Sequence, residues 1–176
     1  MMTLCIVTFY MGSRQKFFYF IGALTLDKGL SNTMKLIYKD PRPYMLKSSI
    51  GLDCSSVYGM PSGHSSSAVI LSTVLILDFF HGERFCIHEI HGLADRNKKL
   101  KVYNWCSYLV GCLAALIWAT CIPFSRYLLG AHSLDQVLFG ALLGLWEGLF
   151  MHFIVREKLL LHIGEVVRPK RSYIYN

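Results

Sequence analysis

The chain has 176 residues and a formal net charge of +7; hydrophobic residues make up 53% of it, and its mean hydropathy is +0.40. These values, with apolar runs near the length of a bilayer crossing, exceed those of a soluble domain of this size and predict one all-α membrane domain over residues 1–176. We expect no nucleic-acid partner, because we find no nucleic-acid-binding motif and the cations lie beside apolar runs, where anionic lipid headgroups are nearer.

Four apolar segments predict membrane-spanning helices. In chain order they cover residues 16–38, 65–80, 102–123 and 134–155. Asp27 and Lys28 interrupt the first segment, so we expect this part to face protein or a wet cavity rather than lipid. Residues 1–11 form a further apolar stretch that is either a crossing too short to span or an interfacial segment.

The first cluster of polar residues stands where the first predicted helix ends. Lys35 precedes Arg42 by seven residues, and Pro41 and Pro43 predict that the helix stops near Asp40. Lys35 would then reach back from the helix end, while Arg42 would lie on the following loop. Both side chains bind phosphate well, arginine as a bidentate fork and lysine as a point charge.

The second cluster opens the second apolar segment. The run Pro61-Ser62-Gly63-His64 predicts a turn into a helix whose apolar body begins at Ala68. The first N–H groups of a helix lack partners and lie at the positive end of its dipole, so they form a ready anion site. His64 would stand at the rim of that site.

The third cluster joins the third apolar segment to the fourth. It consists of Ser125-Arg126 and His132, with Gly130 as a predicted helix break and Ser133 as a predicted N-cap. His132 would therefore lie just before the last helix. That placement could direct a neutral imidazole at a phosphorus atom held by Arg126.

In this order, the patterns K-x6-RP, PSGH and SR-x5-H resemble the motifs of the type 2 phosphatidic acid phosphatase superfamily. The superfamily includes lipid phosphate phosphatases, dolichyl-diphosphate phosphatases, glucose-6-phosphatases and vanadium haloperoxidases. The resemblance covers residues 35–144, the expected catalytic core. It implies a polytopic transmembrane helical bundle, and because the family core has more helices than are predicted here, the chain looks shortened at its N-terminus.

The resemblance also implies a role for each cluster. His132 would be the nucleophile that becomes phosphohistidine, and His64 would first protonate the leaving oxygen and then activate water. The phosphoryl group would be held by Lys35, Arg42, Arg126, the hydroxyl of Ser62 and the backbone N–H of Gly63. The resemblance implies neither a metal nor another cofactor.

One position departs from the family pattern. Many members have an aspartate four residues after the nucleophile to orient its ring, but this chain has Gln136 there and Asp135 one residue earlier. A glutamine carbonyl can accept the imidazole N–H but brings no formal charge. Alternatively, Gln136 completes a capping box with Ser133, and Asp135 favours the first helical turn. Gln136 can also serve both purposes.

Connectivity places the three clusters on one side of the membrane. The opposite side receives the basic loop 81–101 and the basic tail 156–176, so the positive-inside rule predicts that this opposite side is cytoplasmic. The site would then face the lumen of an endomembrane such as the endoplasmic reticulum, or the outside of the plasma membrane.

The last predicted helix carries small residues at regular intervals. Gly140, Gly144 and Gly148 recur every four positions and therefore share one face. This pattern predicts close helix packing, either within the monomer or against another chain in a homo- or hetero-oligomer.

We therefore expect an integral membrane, metal-independent phosphatase that hydrolyses a lipid phosphate or diphosphate through a phosphohistidine, with membrane lipids around it. Transfer of the phosphoryl group to an alcohol in place of water stays open. The alternative is an inactive relative that serves as a structural subunit of a membrane complex, which the substituted aspartate and the glycine face favour. The retained cations and both histidines favour the enzyme, because a structural subunit has little physical reason to keep such charges beside a membrane.

Overall fold

The computed structural model describes residues 14–46, 57–81, 97–156 and 158. The regular structure of these residues is entirely helical: α1 Arg14–Tyr38, α2 Pro43–Leu46, α3 Gly63–His81, α4 Asn97–Leu128, α5 Leu134–Phe150 and a π-helix, Met151–Val155. The predicted N-terminal segment 1–11, most of the loop 81–101 and most of the tail 156–176 lie outside the described residues.

Helix α3 forms the centre of the bundle. It packs most extensively on α5 and α4 and also contacts α1. Its buried Ile70, Leu71 and Val74 meet Tyr19 and Phe20 of α1 in the main hydrophobic cluster. The three other long helices therefore pack around α3. Long helices that follow one another along the chain run in opposite directions.

Among the described residues, three helices are long and apolar enough to cross a membrane: Gly63–Phe80, Leu109–Leu128 and Leu134–Val155. Three of the four predicted spans thus have counterparts, and the fold is the helical membrane bundle expected. Helix α1 has 25 residues but falls outside this group because polar residues lower its hydropathy. Asp27 is fully buried, and its carboxylate accepts hydrogen bonds from Ser66 and Ser67 of α3, so this part of α1 faces protein, as predicted.

The face of α5 that packs on α3 contains its three spaced glycines, Gly140, Gly144 and Gly148. A Cβ atom on Gly140 would lie 2.6 Å from the carbonyl oxygen of Ser62, and one on Gly144 would overlap the carbonyl of Ser66. Of the two alternatives for this face, the structure shows close packing within the monomer. Because α3 covers the glycines, an oligomer would have to use a different surface.

Helix α4 runs further than the sequence predicts. The predicted third span ends at Pro123, whereas the helix continues to Leu128 and Pro123 lies inside it. Proline removes one backbone donor, but a helix packed in a membrane bundle tolerates this loss. Ser125 donates a side-chain hydrogen bond of 2.7 Å to the carbonyl of Ile122. Arg126 consequently lies on the last turn of α4 instead of on a loop.

Candidate active site

The site lies at the end of the bundle where α1 and α4 finish and α3 and α5 begin. Helix α1 ends at Tyr38, and Lys39 takes a left-handed conformation with φ of 48°. This turn brings Arg42 into a buried position, where its Nε donates to the carbonyl of Val57 at 2.9 Å. The bond ties the first motif to the chain segment that leads into the second.

The second motif forms the start of α3, which begins at Gly63. A Cβ placed on Gly63 would lie 3.5 Å from Nζ of Lys35 and 3.8 Å from Nζ of Lys28. Two ammonium groups therefore meet the helix N-terminus, where an anion would be stabilised by both the cations and the backbone N–H groups. His64 is exposed on the first turn, as expected for a group at the rim.

Ser62 lies deeper than His64. It is fully buried, its hydroxyl accepts a hydrogen bond of 2.9 Å from Ser65, and its backbone N–H donates to the carbonyl of Gln136 at 3.1 Å. Ser62 therefore joins the start of α3 to the start of α5. The structure places the residue at this junction and not on an open surface.

The third motif connects Arg126 to His132 through a tight turn. Gly130 has a φ of 64°, a left-handed conformation that glycine adopts without strain, and it breaks the helix as predicted. The backbone N–H of His132 then bonds to the carbonyl of Arg126 at 3.3 Å. The turn buries His132, leaving 2% of it exposed.

Gln136 contacts both groups that the sequence suggests for it. Its Oε1 lies 3.2 Å from Nδ1 of His132 and accepts the backbone N–H of Ser133 at 3.3 Å. Of the two residues expected to orient the ring, Gln136 makes the contact, while Asp135 is exposed on the first turn of α5. Because an amide oxygen only accepts, Nδ1 carries the ring hydrogen and Nε2 carries the lone pair.

The other end of the Gln136 amide is held by the first motif. Its Nε2 donates to Oδ2 of Asp40 at 2.6 Å and to the carbonyl of Pro41 at 2.9 Å. The N–H of Gly59 donates to the carbonyl of Asp40 at 2.8 Å, and a Cβ on Gly59 would overlap the Gln136 amide. The sequence does not predict Asp40 as a site residue, because a contact across 96 residues leaves no local signal.

The environment of His132 keeps its ring neutral. Burial is the largest cause, and Arg42, Arg126 and Lys35 add to it, while the bond to Gln136 opposes them; together they lower the pKa of His132 to about 4. A charged imidazolium would be poorly solvated there and repelled by the cations. At neutral pH the lone pair of Nε2 is therefore available for attack.

The two histidines share the same cations. Arg126, Lys35 and Arg42 act electrostatically on both His64 and His132, so the structure brings the three motifs to one site. Lys28 also acts on His64 and is a cation that the three motifs do not include. Its signal in the sequence is its position two helical turns before Lys35, which places both on one helix face.

The part of the chain that the structure describes contains no cluster suited to a metal ion. Within it, no group of three or more histidine, cysteine, aspartate or glutamate side chains is arranged to hold one. The site presents a group of cations beside a buried imidazole, an arrangement that suits the binding and transfer of a phosphoryl group.

Comparison with known proteins agrees with this geometry. A family model described as PAP2 superfamily matches residues 16–159 of the chain. The chain belongs to the PAP2 superfamily. This confirms the resemblance that the three motifs indicate, and the helical bundle with its bilayer-length helices is consistent with a PAP2 membrane fold.

Two curated relatives have names that concern dolichyl diphosphate. The chain is 33% identical over 137 residues to a dolichyldiphosphatase of Saccharomyces cerevisiae, a match covering 74% of this chain and 48% of that protein. It is 27% identical over 135 residues to a palmitoyl-protein thioesterase-dolichyl pyrophosphate phosphatase fusion of Schizosaccharomyces pombe, covering 76% and 18% respectively. The match thus spans about half of the first relative and under a fifth of the second. No solved structure matches the chain.

Proposed function

We propose that this chain is an integral membrane phosphatase that hydrolyses a lipid diphosphate through a phosphohistidine on His132. The observation that carries the proposal is the state of His132, a buried neutral imidazole whose Nδ1 faces Gln136 and whose neighbours are Arg42 and Arg126. Such a ring offers Nε2 as a nucleophile to an anion that these cations attract.

In the first step, the lone pair of His132 Nε2 attacks the terminal phosphorus. The N–P bond forms while the bond from phosphorus to the leaving oxygen breaks, and His64, which the bound anionic substrate would hold in its protonated form, donates a proton to that oxygen. Lys35, Arg42 and Arg126 would neutralise the equatorial oxygens as the phosphoryl group moves.

In the second step, water attacks the phosphohistidine. His64, now neutral, accepts a proton from the water as the new P–O bond forms, and the electrons of the N–P bond return to Nε2. Inorganic phosphate leaves and both histidines regain their starting protonation. Each proton in this cycle is given or taken by a group of this chain or by water.

Two observations support a lipid diphosphate as substrate. The motifs lie at the ends of bilayer-length helices, where the headgroup of a membrane lipid would arrive. A fourth cation, Lys28, joins the three motif cations, and a diphosphate carries more negative charge than a monophosphate. The names of the two relatives point to the same class of substrate.

The distribution of charge supports a site on the extracytoplasmic side. The end of the bundle opposite the site includes Arg14, Arg156 and Lys158, with further lysines at the start of α4. By the positive-inside rule this end would face the cytoplasm. The substrate would then be hydrolysed at the lumenal or outer leaflet.

The experiment that tests the proposal is phosphate release by the purified protein in detergent with EDTA present. The substrates are a polyprenyl diphosphate, the matching monophosphate, phosphatidate and glucose 6-phosphate. We expect release from the polyprenyl diphosphate, an acid-labile and base-stable phosphoenzyme, and loss of both in His132→Ala.

The control variant for this experiment is Asp135→Asn. Asp135 is exposed on the first turn of α5, and Gln136 rather than Asp135 contacts His132, so we expect the control to release phosphate as the wild type does. Phosphate release that survives His132→Ala would overturn the proposal.

The alternative is a structural subunit of a membrane complex. The observation that favours it is the exposed surface of α4, because only 11% of the span Leu109–Leu128 is buried. Lipid acyl chains would cover such a surface equally well. Turnover by the isolated chain would exclude this alternative, and a folded protein inactive on all four substrates would favour it.

A further inference from the structure

We propose that Asp40 is a positioning residue of this site: acting through Gln136, it fixes the reactive tautomer of His132 and stabilises the charge that the ring gains on phosphorylation. The inference rests on the proposed function. It concerns one residue of the first motif loop and two residues near the start of α5, which meet in one series of hydrogen bonds.

The orientation of the Gln136 amide is fixed by its acceptors. Its Nε2 donates to Asp40 Oδ2 at 2.6 Å and to the carbonyl of Pro41 at 2.9 Å, so both N–H groups are used. A flipped amide would place its oxygen against these two acceptor oxygens, with no hydrogen between them. Oε1 must therefore face His132.

The orientation of the amide decides the tautomer of the ring. With Oε1 at 3.2 Å, Nδ1 of His132 holds the hydrogen and Nε2 keeps its lone pair. A flipped amide would present N–H to Nδ1 and move the ring hydrogen to Nε2, the atom that must attack. Asp40 thus selects the tautomer without touching the ring.

Asp40 also supplies the charge that Gln136 lacks. When Nε2 binds phosphorus, the ring becomes a cation, and its Nδ1–H bond to Gln136 strengthens. A carboxylate at 2.6 Å from the amide nitrogen polarises the amide and increases the negative charge on Oε1. Asp40 thereby takes the role of the aspartate that is absent from position 136. It acts on the ring through the side chain of Gln136 instead of contacting the ring itself.

The surrounding backbone is shaped to keep this contact. Gly59 donates its N–H to the carbonyl of Asp40 at 2.8 Å, and the absence of a Cβ leaves room for the Gln136 amide. Gln136 is 1% exposed, so water does not compete for its hydrogen bonds. A buried hydrogen bond to a charged group stabilises its partners more than a solvent-exposed hydrogen bond does.

The test exchanges the amide and the carboxylate between the two positions. The variants are D40N, Q136E and D40N/Q136E, with Asp135→Asn as the control, and kcat and KM are measured on the polyprenyl diphosphate. We expect D40N to lower kcat by about 10- to 100-fold, with a smaller change in KM. Q136E should lose at least as much, because two carboxylates would then face each other.

The double variant is the decisive measurement. In D40N/Q136E the carboxylate contacts His132 and the amide lies behind it, so we expect it to recover much of the activity that each single variant loses. In the pH profile of kcat/KM, the acid limb of the double variant should also shift to higher pH, because an adjacent carboxylate raises the pKa of His132. The proposal would be overturned if the double variant lost activity by the product of the two single losses and its acid limb stayed at the wild-type pH.

A second measurement separates this inference from the proposed function. Nitrogen-15 NMR of labelled histidine reports which ring nitrogen carries hydrogen, whether or not the protein turns over. We expect His132 to be protonated on Nδ1 in the wild type and to lose that preference in D40N. An unchanged tautomer in D40N would overturn the role of Asp40, whereas an inactive wild type would overturn only the proposed function.

Discussion

His132 combines burial with a cationic neighbourhood, and both act on its proton in the same direction. A histidine in water has a pKa of 6.5, whereas burial and the nearby cations lower the pKa of His132 to about 4. A protonated ring has no lone pair on Nε2 and cannot attack phosphorus. The site therefore keeps its proposed nucleophile ready even at mildly acidic pH.

The lowered pKa predicts the acid limb of the pH profile. Because the folded-state pKa of His132 is depressed, the neutral ring persists as the pH falls from neutrality and is lost only near pH 4. We expect kcat/KM to fall about tenfold per pH unit below that point. An acid limb centred near 6.5 in the pH–rate profile would contradict the effect of burial on His132.

The position of Lys28 beside the site predicts that the protein prefers a diphosphate substrate to a monophosphate. If it binds the second phosphate, Lys28→Gln should lower kcat/KM on the polyprenyl diphosphate by about tenfold and affect the monophosphate much less. Lys39→Gln is the matched control, since Lys39 is also an exposed lysine of the same segment. Equal losses on both substrates would show that Lys28 does not discriminate between them.

Helices α3 and α5 pack with their backbones in direct contact. Gly140 and Gly144 leave no space for a side chain, so the two helices approach closely and the start of α5 is set against the start of α3. The bond from Ser62 N–H to the Gln136 carbonyl lies at this junction. The position of His132 therefore depends on how closely these helices pack.

A methyl group at this junction should destabilise the protein. A Cβ on Gly144 would overlap the Ser66 carbonyl, and backbone cannot rotate away, so Gly144→Ala should cost about 1–3 kcal/mol. Gly22→Ala is the matched control, because nothing lies within 4 Å of its Cβ position in α1. Thermal unfolding in detergent should separate the two variants; equal melting temperatures would contradict the close packing.

The helices and the motif residues can be predicted because their signals are local. Apolar runs mark α3 and α5, and the motifs mark the cations and both histidines. The end of α4 differs from the prediction because proline within a packed helix costs less than proline in an isolated one. The contact of Asp40 with Gln136 cannot be predicted, since it depends on how α1 and α5 come together in space.

The molecule as a whole carries cations at both of its ends. One end holds the cations of the site, and the other holds basic residues beside the buried ion pair of Arg156 with Asp78, whose atoms lie 2.8 Å apart. The long helices alternate in direction between these ends. More of the basic residues of the sequence belong to the end opposite the site, so the positive-inside rule predicts that this end faces the cytoplasm.

The orientation can be tested with single cysteines in a variant that lacks the six native ones. Leu129→Cys marks the exposed turn at the site, and Lys158→Cys marks the opposite end. In sealed microsomes, we expect a membrane-impermeant maleimide to label position 158 directly and position 129 only after permeabilisation. The reverse pattern would place the site on the cytoplasmic side.

The contacts of Gln136 also bear on when the protein can become active during its synthesis. Asp40 and Gly59 leave the ribosome long before Gln136, and the amide that joins them arrives only with the start of α5. Until that helix packs on α3, Asp40 cannot contact Gln136, and His132 does not yet lie beside the cations of the earlier helices. We therefore expect a nascent chain not to hydrolyse its lipid substrate until α5 has packed on α3.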